Sequence, residues 1–285
     1  MIRSLVNWPR RNFLKGSMAG IAAASASMLP GNAHAQGRKP ITFILVHGSW
    51  HWGGCFTIVA NDLATRGYAV ATPDLATHGY DLTAPGAVAS MEQYVQPAAS
   101  ILEKSSGPVV LVGHSMGGTV CTYLGEKYPD KISSLVYLAA FMCPNGKSAN
   151  DYLFAKDYAP LAKELFQVVT GDPLGVRLDL SKPALVKEAF YADCDDHFFK
   201  IAAQNVIPVT PDAPNKYLSN TTADRFGRIP RYYIETERDR AIPIEIQRKM
   251  QNDVPGSKVI TMSTSHSPFF SAPGKLAGHL ASIAS

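Results

Sequence analysis

Apolar residues fall along this chain in two alternating rhythms. Short, nearly unbroken runs rich in β-branched residues occur at 41–47 (ITFILVH), 68–74 (YAVATPD), 109–113 (VVLVG) and 131–141 (KISSLVYLAAF). Each has the length and composition of a strand buried on both faces. Between them lie stretches with helical spacing, at 56–66, at 91–104 (MEQYVQPAASILEK) and in TVCTYLGEKYP after residue 118. This order predicts βαβ units, and so an α/β fold with a mainly parallel sheet and helices on both faces.

The rhythm breaks after Phe141. From Met142 to Arg228, helical patterns such as APLAKELFQVV and KPALVKEAF are joined by proline-rich segments, and strand alternation stops. It resumes with PRYYIE (230–235), a helix from Pro243, the run SKVITM (257–262) and a last helix. The expected organisation is a sheet core over 36–141 and 229–285, interrupted by a helical cap over 142–228.

The composition, 46% hydrophobic and 18% charged over 285 residues, allows a large core. The first 35 residues differ from the rest. They carry Arg3, Arg10, Arg11 and Lys15 with no acid, then the small-residue run GSMAGIAAASASML and Ala33-His34-Ala35. PRRNFLK resembles a twin-arginine export signal, and A-H-A fits a cleavage site. The apolar run, 14 residues from Gly16 to Leu29, falls short of the roughly 20 that span a bilayer. Cleavage is therefore expected rather than a membrane anchor. A soluble chain would work in the periplasm or outside the cell, without stable membrane insertion. Losing four basic residues takes the formal charge from +4 to 0, so nothing points to nucleic acid. Cys55, Cys121, Cys143 and Cys194 show no C-x-x-C or metal-ligand grouping. Export would permit disulfides, although Cys121 reads as a small buried residue.

The candidate chemistry centres on GHSMGG (113–118), between a strand and a helix. A serine flanked by glycines at that junction has the pattern of a nucleophile elbow. The turn strains the serine backbone, exposes its hydroxyl, and leaves no room for side chains two residues to either side. Ser115 is then the candidate nucleophile, needing a histidine base and an acid to orient it. Of the eight histidines, His266 follows a late strand and an acid-bearing loop, whereas His279 falls in the expected final helix, where a solvated side chain fits better. That loop holds Glu235, Glu237 and Asp239. Asp239, just before A-I-P, is the favoured partner, with Glu237 as the alternative. The backbone NH groups of Met116 and of Ser49, in HGSWHWGG (47–54), are placed to form an oxyanion hole. His47 and His51 could instead be read as metal ligands, but no acidic third ligand accompanies them. Neither a metal nor a cofactor is expected.

LVHGSWHWGGCF, VGHSMGG, the D-R-A-I-P loop and TSHSPFF together resemble the α/β-hydrolase superfamily, in the branch of plant methylesterases and hydroxynitrile lyases. PRYYIE, PIEIQRKMQ and SHSPFFSAP are most similar to bacterial pyrethroid-hydrolysing carboxylesterases. The resemblance implies the α/β-hydrolase fold and a cofactor-free Ser-Asp-His triad, carried here by Ser115, Asp239 and His266. Arg238 departs from the pattern, where such relatives carry Asp or no residue.

Three activities remain open. The lyases of this branch resemble a pattern with threonine, glutamate and lysine where this chain has Gly48, His114 and Ser267, which favours ester hydrolysis. Lactone hydrolysis is the same chemistry on a cyclic ester, and a ligand-binding module on a hydrolase scaffold is the non-catalytic alternative. The expected partner is a small-molecule ester. Trp50 and Trp52 beside the oxyanion loop, and Phe269 and Phe270 after the histidine, are the candidate pocket residues. With no Arg or Lys cluster among them, they point to neutral, apolar esters, including aryl or pyrethroid-like ones.

Overall fold

The β-rich runs form strands whose alternate residues face opposite sides of one sheet. In a computed structural model that describes residues 40–154, 160–169 and 175–285, β1 (Thr42–Val46) sends Phe43 and Leu45 to one face and Ile44 and Val46 to the other. The expected export signal, residues 1–35, lies outside the described residues. The first half of the core continues with α1 (Thr57–Thr65), β2 (Ala69–Ala71), α2 (Met91–Lys104), β3 (Val109–His114), α3 (Gly117–Lys127) and β4 (Ile132–Leu138).

An insert follows. It comprises α4 (Ala149–Leu153), α5 (Pro160–Leu165), β5 (Phe166–Val169), β6 (Gly175–Leu178), α6 (Pro183–Phe190), α7 (Asp196–Asn205), β7 (Val209–Pro211) and α8 (Ala213–Lys216). The core then closes with β8 (Arg231–Thr236), α9 (Ile244–Asp253), β9 (Ser257–Met262), α10 (Pro268–Ser271) and α11 (Pro273–Ala284).

The core sheet is parallel throughout, in the order β2-β1-β3-β4-β8-β9. One face packs Leu63 of α1 and Leu280 of α11, the other Tyr94 of α2 and Leu124 of α3. Because β1 lies between β2 and β3, the chain reverses its direction of growth there. In open α/β sheets the crevice outside the carboxyl ends of such strands is where ligands bind.

The insert carries the helices expected of the cap, but it is not all helical. It contains a three-stranded antiparallel sheet in the order β5-β6-β7. FQVV reads locally as the end of the helix APLAKEL, yet it pairs residue by residue with β6, Gln167 opposite Arg177 and Val168 opposite Val176. A short apolar run takes the state that its distant partner offers. All four cysteines are buried free thiols.

Candidate active site

Ser115 follows β3 with φ at 54°, a left-handed conformation that costs a non-glycine residue about 1–3 kcal/mol. Neighbouring elements hold it there. Its N–H donates to the Leu138 carbonyl at 3.2 Å, and its carbonyl accepts from Gly118 and Phe141 N–H, both at 3.0 Å. The motif glycines are required by contact. A Cβ on Gly113 would stand 2.2 Å from the Gly117 carbonyl oxygen, and one on Gly48 would stand 2.6 Å from Ser115 Cβ.

His266 Nδ1 donates to Asp239 Oδ2 at 2.7 Å, with both side chains fully buried. Asp239 is itself held firmly. Oδ1 accepts from Ala241 and Ile242 N–H at 2.8 Å each, and Oδ2 accepts from Thr236 Oγ1 at 3.1 Å and Gln247 Nε2 at 3.3 Å. Glu237 is exposed, and Glu235 pairs with Arg248 at 2.9 Å. The histidine is thus served by Asp239 and not by the alternative. With Nδ1 carrying the proton, Nε2 is the basic nitrogen, and no hydrogen bond engages it among the described residues.

Other histidines support the site, a role the sequence pattern does not reveal. His114 Nε2 donates to the His266 carbonyl at 2.8 Å, and the two rings lie 4.5 Å apart. In the loop after β1, His47 Nδ1 donates to the Gly48 carbonyl at 2.8 Å while Nε2 accepts from Leu75 N–H at 3.1 Å. His51 Nδ1 donates to the Ser49 carbonyl at 2.9 Å, and Nε2 accepts from Tyr191 Oη at 2.8 Å. Both rings are spent on holding the loop. Burial pushes His47 and His51 down to about 3 and His78 down to about 4, and drives His114 well below the ordinary range. These rings are neutral near pH 7. Among the described residues no His, Cys, Asp and Glu grouping could hold a metal.

A small cavity of about 20 Å3 lies over Ser115. Ser49, Trp50 and Met116 line it together with Ser115. The other predicted pocket residues lie elsewhere. Phe269 is fully buried against Phe56 and His114, with ring centroids at 5.0 and 4.9 Å. Phe270 stacks on Phe198 at 5.4 Å, and Trp52 packs on Phe270 at 6.2 Å. The chain after His266 turns inward through α10, which carries both phenylalanines into the core. The aromatic walls come instead from Phe141 after β4 and from Phe154, Phe166 and Phe190 of the insert.

Residues 43–279 match the profile of the Alpha/beta hydrolase family. The chain belongs to that family. The hydrolase is 34% identical over 251 residues to a pyrethroid hydrolase of Sphingobium wenxiniae, covering 85% of this chain and 86% of that one. It is 31% identical over 251 residues to methylesterase 7 of Arabidopsis thaliana, covering 85% and 95%. A crystal structure of a pyrethroid hydrolase from Sphingobium faniae superposes with a TM-score of 0.81 at 31% identity, covering 86% of this hydrolase and 98% of that chain.

Proposed function

We propose that this α/β hydrolase is a serine carboxylesterase acting on neutral, apolar esters. The observation that carries this reading is the buried His266–Asp239 hydrogen bond, which leaves Nε2 as a free base in the site that holds the strained Ser115. Ser115 Oγ attacks the ester carbonyl while His266 Nε2 takes its proton, and Asp239 stabilises the imidazolium that forms. The N–H groups of Ser49 and Met116 receive the developing oxyanion, the latter at the N-terminus of α3 where the helix dipole adds to the donor. His266 then protonates the leaving alkoxide, and water releases the acid from the acyl-enzyme.

The uncharged, aromatic lining of the cavity supports apolar substrates, aryl or pyrethroid-like. The pyrethroid hydrolase and methylesterase relatives support a carboxylesterase activity. Turnover of a chromogenic aryl ester tests the proposal. Ser115→Ala should abolish it while the circular-dichroism spectrum stays native. Near-normal kcat in that variant would remove Ser115 from the mechanism, and tight binding without product in the natural chain would replace the esterase by a binding module.

A further inference from the structure

Four of the five residues from Phe190 to Cys194, in the insert, touch the loops that carry the site. The Phe190 ring lines the cavity, 5.5 Å from the ring of His266 and 5.8 Å from that of Trp50. Tyr191 donates to His51 at 2.8 Å, and Cys194 Sγ lies 3.9 Å from the Ser267 carbonyl oxygen. Asp193 makes the most direct connection. Its Oδ2 accepts from Ser265 N–H at 2.9 Å and from the Arg238 guanidinium at 3.4 Å, while Oδ1 accepts from Ser265 Oγ. Ser265 immediately precedes His266, and Arg238 immediately precedes Asp239.

The backbone ladder that continues from β8 and β9 ends at the Arg238 N–H bond to the Thr264 carbonyl at 3.0 Å. Past that bond, the His266 segment is held by Asp193 from one side and by His114 at its carbonyl. Arg238 closes the frame by donating to the Ser263 carbonyl at 2.5 Å. The two oxygens of a carboxylate have lone pairs enough to accept from an amide, a hydroxyl and a guanidinium together. This gives Arg238 a definite partner.

We propose that Asp193 is a positioning residue for the Asp239–His266 pair. Its carboxylate, presented by the insert, sets the separation of the two loops and so the hydrogen bond that orients the imidazole. The proposal rests on the triad reading, but it can be measured without substrate. The downfield proton resonance of His266 Nδ1–H reports that hydrogen bond directly, and kcat and KM for a neutral aryl ester report its consequence.

Asp193→Ala should broaden or shift the resonance and lower kcat by about tenfold or more, since small misplacements of catalytic groups are costly, with KM within about twofold. Asp193→Asn, which still accepts from Ser265 N–H, should recover part of both. Arg238→Ala should lower kcat by about threefold alone and add nothing in the Asp193→Ala background, as residues of one network are non-additive. An unmoved resonance with natural kcat in Asp193→Ala, or a change confined to KM, overturns the proposal. If Asp193→Ala does not fold, the Asp193→Asn and Arg238→Ala variants are read by the same two criteria. Failure of the natural chain to hydrolyse any ester would instead remove the esterase reading, leaving the resonance to decide the role of Asp193.

Discussion

The indole Nε1 of Trp50 donates to the Val176 carbonyl at 3.0 Å, fastening the loop after β1 to a strand of the insert. Trp50 is itself left-handed, with φ at 62°, and its carbonyl accepts from Ile207 N–H at 2.9 Å. The direction of the neighbouring Ser49 amide thus depends on a strained residue that the insert holds from two sides.

Replacing Trp50 by Phe keeps an aromatic ring in the cavity wall and removes the N–H. The buried Val176 carbonyl would lose its donor, at a cost of about 1–3 kcal/mol in stability. Turnover should fall by about tenfold or more as the oxyanion loop loosens, since loss of one oxyanion donor costs about 10²–10³ in kcat. Urea midpoints and kcat for an aryl ester check both effects. Unchanged values would show that the loop orients itself without the insert.

Acid should destabilise the fold through its buried histidines. His47, His51 and His78 have folded values pushed down by burial to about 3, 3 and 4, against about 6.5 in the unfolded chain. The unfolded state therefore binds more protons between these limits. The resulting stability is fully present above about pH 6.5 and is lost as pH falls toward the folded values, at up to about 1.4 kcal/mol per pH unit for each ring. Denaturant midpoints at pH 7.5, 6 and 5 should drop in that order, and calorimetry should detect proton uptake on unfolding at pH 5. A flat profile across that range would contradict the neutral, buried assignment.

Charge is the variable that tests the substrate class. No charged side chain is among the described residues lining the cavity, and an unpaired carboxylate is costly to bury. A neutral aryl ester should exceed an isosteric ester bearing a free carboxylate in kcat/KM by tenfold or more, about 1.4 kcal/mol in transition-state binding. Equal rates, or preference for the charged ester, would require a cationic partner near the cavity.

We propose that the chain is exported by the twin-arginine route, on the strength of PRRNFLK and the A-H-A site that follows the apolar run. Replacing Arg10 and Arg11 by Lys should retain the chain in the cytoplasm with its N-terminus uncleaved. Export of that variant, or a mature N-terminus upstream of Pro30, would count against the signal.

The sequence by itself determined whatever depends on neighbours along the chain. The helix at 91–104 and the strand at 257–262 form where their patterns predict, because the period of the apolar residues decides which face each can bury. The serine elbow is local in the same sense, since glycines two residues away remove the contacts that a strained turn would make. Contacts across the fold were decided by tertiary structure. Phe269 and Phe270 adjoin His266 in sequence but turn into the core, while Phe190, 76 residues earlier, packs against its ring. FQVV became a strand only because β6 lay beside it, and Asp193 meets Ser265 and Arg238 only because the insert folds back over the sheet. A periodic pattern shows which face of an element is apolar. Which distant segment meets that face is set by how the insert packs on the core.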